Sequence, residues 1–124
     1  MPGFLIERVK HELDLNGLTA LVLGLGFKRN IDDNRNSLAY KARKIFIAEG
    51  CAVLTHDPFL APGDMEALVR RADVVFVAMN HDAYRDVGRA RFRSWLQDDA
   101  LVCDIWNLFG RGEIIYRKRD MPID

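Results

Sequence analysis

Short apolar runs alternate with longer segments of helical periodicity along this chain, and that alternation limits the possible folds more than any other feature. The runs are rich in β-branched residues and have few polar interruptions, which is typical of strands covered by helices on both faces. Such an alternation favours parallel strands joined by right-handed crossovers. The clearest runs are Ala20–Leu25, Ala52–His56, Val74–Met79 and Ala100–Ile105.

The alternation therefore predicts an α/β domain with three layers, α/β/α. We expect a Rossmann-like parallel sheet of about five strands in the order 3-2-1-4-5. The segment Glu113–Arg117 is the candidate for a short last strand. A chain of 124 residues is long enough for one such domain with its own core. We assign residues 18–124 to this domain and residues 1–17 to an N-terminal helix.

The helices between the runs can be placed from their apolar periodicity. Ser37–Glu49 has one apolar face and is followed by Gly50, a typical residue just beyond a helix end. Asp64 can cap a helix over Met65–Arg71. The short apolar patch within Arg91–Leu96 indicates core packing.

An apolar stripe at helical spacing also occurs before the first run. It consists of Leu5, Ile6, Val9 and Leu13. Such a stripe either docks on the sheet of this domain or is covered by something else, and in the second case it could support a homo-oligomer.

The charge balance and the cysteines limit the possible functions. Lys plus Arg and Asp plus Glu number 18 each, so the overall charge gives no basis for nucleic-acid or membrane binding. Cys51 and Cys103 lack CxxC spacing, and we expect two reduced, buried thiols. The sequence shows neither a signal-peptide pattern nor an apolar run long enough for a membrane span. We expect a cytoplasmic protein without a metal site.

The turn after the first run resembles the entrance of a dinucleotide site. Gly24 and Gly26 match the first two glycines of GxGxxG, but Arg29 stands where the third belongs. Asp57 ends the second run as a ribose-binding carboxylate would, yet it lies 33 residues after Gly24, against the usual spacing of about 20. The residues alone therefore favour a structural turn over an independent NAD site.

The polar residues that follow this turn suit an anionic ligand. Lys28 lies between a strand end and a helix start, where an ammonium and free backbone amides meet. Arg35 offers a planar fork for phosphate or carboxylate, and Asp33 can satisfy helix amides. Alternatively, Asp32, Asp33 and Arg35 pair only with one another. The residues alone leave both interpretations open.

Four segments occur in the order and spacing of a known family's motifs. They are LGLGFKRNIDDNRNS, EGCAVLTHDP, ADVVFVAMNHDAY and LVCDIWN. The family patterns are approximately LGxxFKxxxxDxRxS, GxxVxxxDP, ADxVxxxxxH and DxRN. The chain thus resembles, from Leu18 to about Gly110, the C-terminal, nucleotide-sugar-binding domain of the UDP-glucose/UDP-N-acetylmannosamine/GDP-mannose dehydrogenase family. Residues 1–17 resemble the end of the helix that connects the family's middle domain to this one.

The resemblance implies part of an NAD-dependent nucleotide-sugar 6-dehydrogenase of polysaccharide biosynthesis. Such enzymes oxidise the C6 alcohol of a nucleotide sugar to a uronic acid through a thioester on a cysteine. Their first domain binds NAD, the middle domain carries the cysteine, and the third covers the nucleotide sugar. This chain resembles the third alone, and neither Cys51 nor Cys103 lies in a GxCxxKD-like segment. The resemblance therefore assigns no catalytic residue, implies that this chain alone holds no NAD, and leaves the isolated chain inactive.

The resemblance also assigns roles to single positions. Phe27 and Lys28 match a pair that lines the substrate pocket, so they would contact the UDP-sugar. Arg35 matches an arginine that reaches toward the NAD held by the first domain. The supporting loop would comprise Gly24, Gly26, Asn30 and Asp33.

Three positions carry less over from the family. His81 matches the family's histidine, for which we favour a structural role. Asn36 stands where the family commonly has glutamate, and Trp106 stands where it has arginine. The charged contacts of those two family residues therefore have no counterpart here.

Three hypotheses from different classes follow. In the first, this is a UDP-sugar-binding module whose partners are the NAD-binding and middle domains. In the second, it is a stand-alone regulatory or interaction relative that binds no sugar nucleotide. In the third, it is an independent NAD-binding protein. The sequence leaves the preferred sugar and base undecided.

Overall fold

The structure, a computed structural model, alternates strands and helices along the chain. It describes residues 7–10, 14–24, 38–57, 64–78, 82–106, 109 and 114–121. The strands are β1 (Thr19–Leu23), β2 (Ala52–His56), β3 (Val74–Val77), β4 (Leu101–Asp104) and β5 (Ile115–Arg117). The helices are α1 (Leu38–Ala48), α2 (Met65–Arg71), α3 (Asp82–Val87) and α4 (Arg89–Trp95), and a 3₁₀ turn covers Lys118–Asp120.

The five strands form one sheet in the order β2-β1-β3-β4-β5. Strands β1 to β4 are mutually parallel, and β5 pairs antiparallel with β4. The α/β class, the number of strands and the short last strand are therefore confirmed.

Two details of the sheet differ from the sequence-based expectation. In the observed order β3 lies beside β1, whereas 3-2-1-4-5 numbered along the chain would place it beyond β2. Burial explains the arrangement: every residue of β3 is buried, whereas β2 is mostly exposed or half-buried and forms the edge. The sheet is mixed because only ten residues connect β4 to β5, and a parallel crossover needs about a dozen or more.

Alternate residues along the strands contribute to two core layers, one on each face of the sheet. On the first face, Phe46 of α1 meets Phe76 of β3 edge-on, with ring centroids 6.1 Å apart. On the second face, Phe92 of α4 stacks on Phe109 at 4.0 Å. Each of these buried rings contributes about 1.5–3 kcal/mol of hydrophobic stabilisation. The predicted α/β/α layering is thus confirmed.

The predicted helices occur close to their expected positions. Helix α1 begins and ends within one residue of Ser37–Glu49, and Gly50 follows it with a φ of +91°. A Cβ on Gly50 would collide with the side chain of Asn16, so this position needs glycine. The Oδ1 of Asp64 accepts a 3.3 Å hydrogen bond from the Ala67 amide, which confirms the cap of α2.

Helix α3 was not anticipated from the sequence. It has only six residues, which is too short for an apolar period to be recognisable. Its residue Tyr84 is fully buried nonetheless. The patch predicted around Arg91–Leu96 belongs to α4, where Phe92 is buried, and Leu96 just beyond that helix is buried too.

Residues 7–10 are helical and dock on the first face of the sheet. Val9 is fully buried in the same core layer as α1. Lys10 Nζ lies 3.2 Å from Glu49 Oε2, just beyond the end of α1. Because that ion pair is partly exposed, the burial of Val9 carries most of the docking energy. The other stripe residues, Leu5, Ile6 and Leu13, lie outside the described residues.

Both cysteines are buried free thiols, as predicted. Burial, and then the Asp104 charge, raise the pKa of Cys103 to about 12. Burial also raises the pKa of Cys51. In the described ranges, no group of three or more His, Cys, Asp or Glu residues is arranged to hold a metal ion. Within the same ranges, no helix is both long enough and apolar enough to cross a membrane.

Candidate functional site

The carboxyl ends of the four parallel strands meet at one edge of the sheet, which we call the carboxyl edge. In doubly wound sheets, ligands bind in the crevice where the chain changes direction across the sheet. Here β2 lies on one side of β1 and β3 on the other, so the crevice lies between β1 and β3. The Ala78 amide donates to Leu23 O at 2.9 Å, which continues the pairing of these strands to the edge itself.

The glycine turn begins at this crevice. Gly24 follows β1 with a φ of +90°, a conformation that favours glycine over other residues. Its amide donates a 2.6 Å hydrogen bond to His56 O at the end of β2. Gly24 therefore has a structural reason to be glycine, whether or not a ligand binds beside it.

Tyr84 of α3 reinforces the start of the turn. Its hydroxyl donates to His56 O at 3.0 Å and lies 3.0 Å from His56 Nδ1. Burial, and then the charge of Asp57, raise the pKa of Tyr84, while the Gly24 amide opposes them. We call Tyr84, His56 and Gly24 the Tyr84 cluster.

Asp57, the candidate ribose ligand, is buried behind this cluster. It is only 1% exposed, and its charge acts on the Tyr84 phenol. Its carboxylate therefore interacts within the protein at this end of the edge.

A second buried tyrosine lies at the other end of the carboxyl edge. The hydroxyl of Tyr116 in β5 donates a 2.6 Å hydrogen bond to Asp104 Oδ2, which also accepts from the Phe109 amide at 2.9 Å. Burial, and then the Asp104 charge, raise the pKa of Tyr116. We call Tyr116, Asp104 and Phe109 the Tyr116 cluster. Arg89 of α4 supports it by donating to Phe109 O at 2.9 Å.

Trp106 lies between these two clusters. Its indole Nε1–H donates to Ala78 O at 3.0 Å, which joins the chain after β4 to the end of β3. The residue is nevertheless 43% exposed. An anchored, exposed aromatic ring offers a face for stacking against a nucleobase or the apolar face of a sugar. In the sequence, Trp106 is notable only as the residue that replaces the family's arginine. Its hydrogen bond to the residue just after β3 has no signal in the sequence.

Most residues assigned by resemblance lie outside the described residues. Those positions are Gly26, Phe27, Lys28, Asn30, Asp33, Arg35, Asn36 and His81. Of the predicted site residues the structure therefore places Gly24, at the edge of the crevice. The roles predicted for the others stay predictions.

A doubly wound sheet with a glycine turn at its switch point is the architecture of nucleotide-binding α/β proteins. Residues 21–111 match the model of the UDP-glucose/GDP-mannose dehydrogenase family, UDP binding domain. The match begins at Leu21 within β1, includes β2 to β4, and contains the chain that leaves each of the four strands at the carboxyl edge. The chain belongs to this family.

Relatives and solved structures agree with that assignment. Over 118 residues, the chain is 25% identical to a UDP-N-acetyl-D-mannosamine dehydrogenase of Methanocaldococcus jannaschii, a match that covers 90% of this chain and 28% of the relative. The structure of the Pyrococcus horikoshii UDP-D-ManNAc dehydrogenase superimposes with a TM-score of 0.65 and 26% identity, over 77% of this chain and 25% of that one.

A UDP-glucose dehydrogenase of Pyrobaculum islandicum gives a similar result. Its TM-score is 0.63 with 25% identity, over 82% of this chain and 25% of that one. The chain therefore spans only about a quarter of the length of these proteins, 28% of the M. jannaschii relative and 25% of each solved structure.

Proposed function

We propose that this chain binds a UDP-sugar in the crevice at the carboxyl edge. In an intact enzyme it would serve as the nucleotide-sugar-binding third domain of an NAD-dependent 6-dehydrogenase. The observation that carries the proposal is the match to a UDP binding domain, which includes the chain leaving all four parallel strands at that edge. The helical residues 7–10 would then belong to the end of the connecting helix, but the helix predicted over residues 1–17 does not extend to 14–17, where the structure has a turn at Asn16 and Gly17.

Two features supply the chemistry of binding. The exposed ring of Trp106, anchored on Ala78 O, offers a stacking face beside the crevice. Lys28 comes four residues after Gly24, and four residues span at most about 14 Å. Within that reach, its ammonium would contact the hydroxyls or phosphates of a ligand held there. Phe27 would pack beside the sugar.

NAD belongs to another part of the enzyme in this proposal. Asp57, the acidic residue that an NAD ribose would need, is only 1% exposed, which supports this placement. Arg35 would instead reach toward NAD bound by the first domain. NAD bound there would supply the acceptor for the hydride that leaves the sugar.

The chain by itself has no nucleophile for a thioester. Both cysteines are buried, and the pKa of Cys103 is raised to about 12, so its thiolate is scarce near neutral pH. We therefore expect the purified chain to reduce no NAD with any nucleotide sugar. An intact UDP-sugar dehydrogenase assayed in parallel is the positive control, and turnover above background by this chain would overturn the assignment.

Tryptophan fluorescence tests the binding site directly. The chain has two tryptophans, so a Trp95→Phe variant leaves Trp106 as the sole reporter. We expect UDP-sugar to change its emission saturably and NAD to leave it unchanged. The matched Trp106→Phe variant, which reports from Trp95 on α4, should show no ligand response. A saturable response to NAD alone would favour an independent NAD-binding protein instead.

Lys28→Ala tests the proposed contact. Losing a charge-assisted hydrogen bond should weaken UDP-sugar binding by about 1–3 kcal/mol and leave the melting temperature nearly unchanged. Lys41→Ala, which removes an exposed lysine of α1, is the matched control and should alter neither. We expect the parent chain to bind UDP-sugar with only about millimolar affinity. This chain would hold only part of the site, and the entropic cost of association does not fall in proportion to the size of the site. If Lys28→Ala binds as well as Lys41→Ala, the pocket assignment fails.

A further inference from the structure

A surface cleft of about 190 Å³ lies at the opposite end of β4 from the crevice. Its lining includes Leu101, the first residue of β4, and Arg117, the antiparallel partner of Leu101 in β5. Strand β4 extends from Leu101 to Asp104 at the carboxyl edge, a span of about 10 Å at roughly 3.3 Å per residue. Tyr116, whose hydroxyl reaches Asp104 at the carboxyl edge, also lines the cleft. The cleft and the crevice are nevertheless separate, because β3 and β4 lie between β5 and the crevice.

Three guanidinium groups from separate parts of the chain line this cleft. Arg8 belongs to the helical residues 7–10, Arg117 to the edge strand β5, and Arg119 to the 3₁₀ turn. Asp120 also lines it, so three positive charges and one negative charge give a net +2. The whole chain carries a net charge of +0. The positive charge is thus concentrated locally.

Two of these arginines have no protein partner in the described part of the chain. Neither Arg8 nor Arg119 makes a hydrogen bond or an ion pair with any described residue, and Asp120 does not pair with either. Burial and the Asp104 charge raise the pKa of Cys103, and the Arg8 charge lowers it. Arg8 therefore acts electrostatically on the sheet, as a side chain beside β4 would.

The size and lining of the cleft limit what it can hold. Leu101 and Ile115 supply apolar lining, but most of the lining surface is polar. The cleft has a volume of about 190 Å³. Sites for whole cofactors are typically about 300–1,000 Å³. The arginine fork matches phosphate oxygens two at a time.

We propose that this cleft binds a small, free phosphate anion, either inorganic phosphate or pyrophosphate. The guanidiniums of Arg8 and Arg119, which pair with no described residue, would hold it beside Leu101 and Ile115. This site does not depend on the nucleotide-sugar function, because it lies at the other end of β4.

A titration of the full chain with pyrophosphate tests the site, followed by the side-chain Nε–H resonances of Arg8 and Arg119 in NMR spectra. We expect saturable shifts of both. The double variant Arg8→Gln/Arg119→Gln should bind at least about tenfold more weakly, since each substitution removes a charge-assisted hydrogen bond. Both side chains are exposed, so the variant should keep its melting temperature. Arg91→Gln, an exposed arginine of α4, is the control of equal charge change and should bind as the parent does.

Other ligands identify the source of the phosphate. UDP should shift the resonances of Trp106 at the crevice and leave those of Arg8 and Arg119 unchanged. If UDP shifted the arginine resonances as much as pyrophosphate does, the assignment to a free anion would be overturned. Succinate, a dicarboxylate, should bind much more weakly than pyrophosphate, and equal affinity would overturn the preference for phosphate. The proposal also fails if pyrophosphate gives no saturable shift, or if the double variant binds it as tightly as Arg91→Gln.

Discussion

The Tyr84 cluster and the Tyr116 cluster lie at opposite ends of the carboxyl edge and use the same residue type differently. Tyr84 donates to a neutral backbone carbonyl of His56 at 3.0 Å. Tyr116 donates to the carboxylate of Asp104 at 2.6 Å. The first joins α3 to the parallel strands β1 and β2, where the glycine turn begins. The second joins the antiparallel pair of β4 and β5.

This difference separates positioning from stability. Hydrogen bonds to charged groups contribute about 1.5–3 kcal/mol, whereas neutral ones contribute about 0.5–1.5 kcal/mol. The Tyr116 cluster should therefore dominate the stability of the edge. The Tyr84 cluster should matter more for ligand binding, because it holds Gly24 at the start of the turn that leads to Lys28.

The largest expected effect involves the tyrosine of each cluster together with Cys103 of β4, and it appears at alkaline pH. Cys103 has its pKa raised from 9.0 to about 12, and both tyrosines have theirs raised above 10.0. Above pH 9 the unfolded chain releases protons that the folded chain retains, so stability is complete below that pH and falls as pH rises. Above its pKa in the unfolded chain, each group lowers the free energy of unfolding by about 1.4 kcal/mol per pH unit. Together, the three groups lower it by about 5 kcal/mol by pH 11.

Urea unfolding between pH 8 and 11 measures this loss. In a plot of the free energy of unfolding against pH, Cys103→Ala should reduce the slope from pH 9 upward. Tyr84→Phe or Tyr116→Phe should reduce it only above pH 10. If all three variants keep the slope of the parent, these buried groups are not its origin.

The next largest effect is expected from Asp104→Ala. This change leaves the Tyr116 hydroxyl and the Phe109 amide without their acceptor in a buried place. We expect a loss of about 3 kcal/mol or more in the free energy of unfolding, since each unsatisfied donor costs about 1–3 kcal/mol. Asp98→Ala, whose side chain is fully exposed, should change stability by less than about 0.5 kcal/mol. Equal effects of the two would contradict a structural role for Asp104.

Removing one hydroxyl from each cluster compares them directly. Tyr116→Phe should cost about 2 kcal/mol and Tyr84→Phe about 1 kcal/mol, measured by chemical denaturation at pH 7. UDP-sugar affinity should show the reverse order, with the larger loss in Tyr84→Phe. The separation of roles would be broken if Tyr116→Phe weakened binding more than Tyr84→Phe does.

The smallest effect on stability is expected from Trp106, which lies between the clusters. Trp106→Phe removes one partly exposed hydrogen bond to Ala78 O, so we expect a cost of less than about 1 kcal/mol. A calorimetric melting curve checks this cost. A loss of several kcal/mol would show that Trp106 is a core residue and would remove the reason to treat its ring as a ligand platform.

The sequence by itself determined the class of fold and most of its elements. Apolar runs alternating with helical periodicity predicted the α/β layers, and Asp64 and Gly50 marked helix ends because capping depends on local backbone geometry. Ordered motifs also indicated the family that the match over residues 21–111 later showed. Local signals sufficed for these features because they act within a few residues of the chain.

The tertiary structure alone decided which strands are neighbours and which polar groups are buried. Both VVFV and AVLTH read as strands, but only packing shows that the first lies inside and the second at the edge. The contacts of Tyr84 with His56, of Tyr116 with Asp104 and of Trp106 with Ala78 join residues 12 to 28 positions apart. No local pattern specifies such contacts, because they arise only when the ends of several strands are brought to one edge.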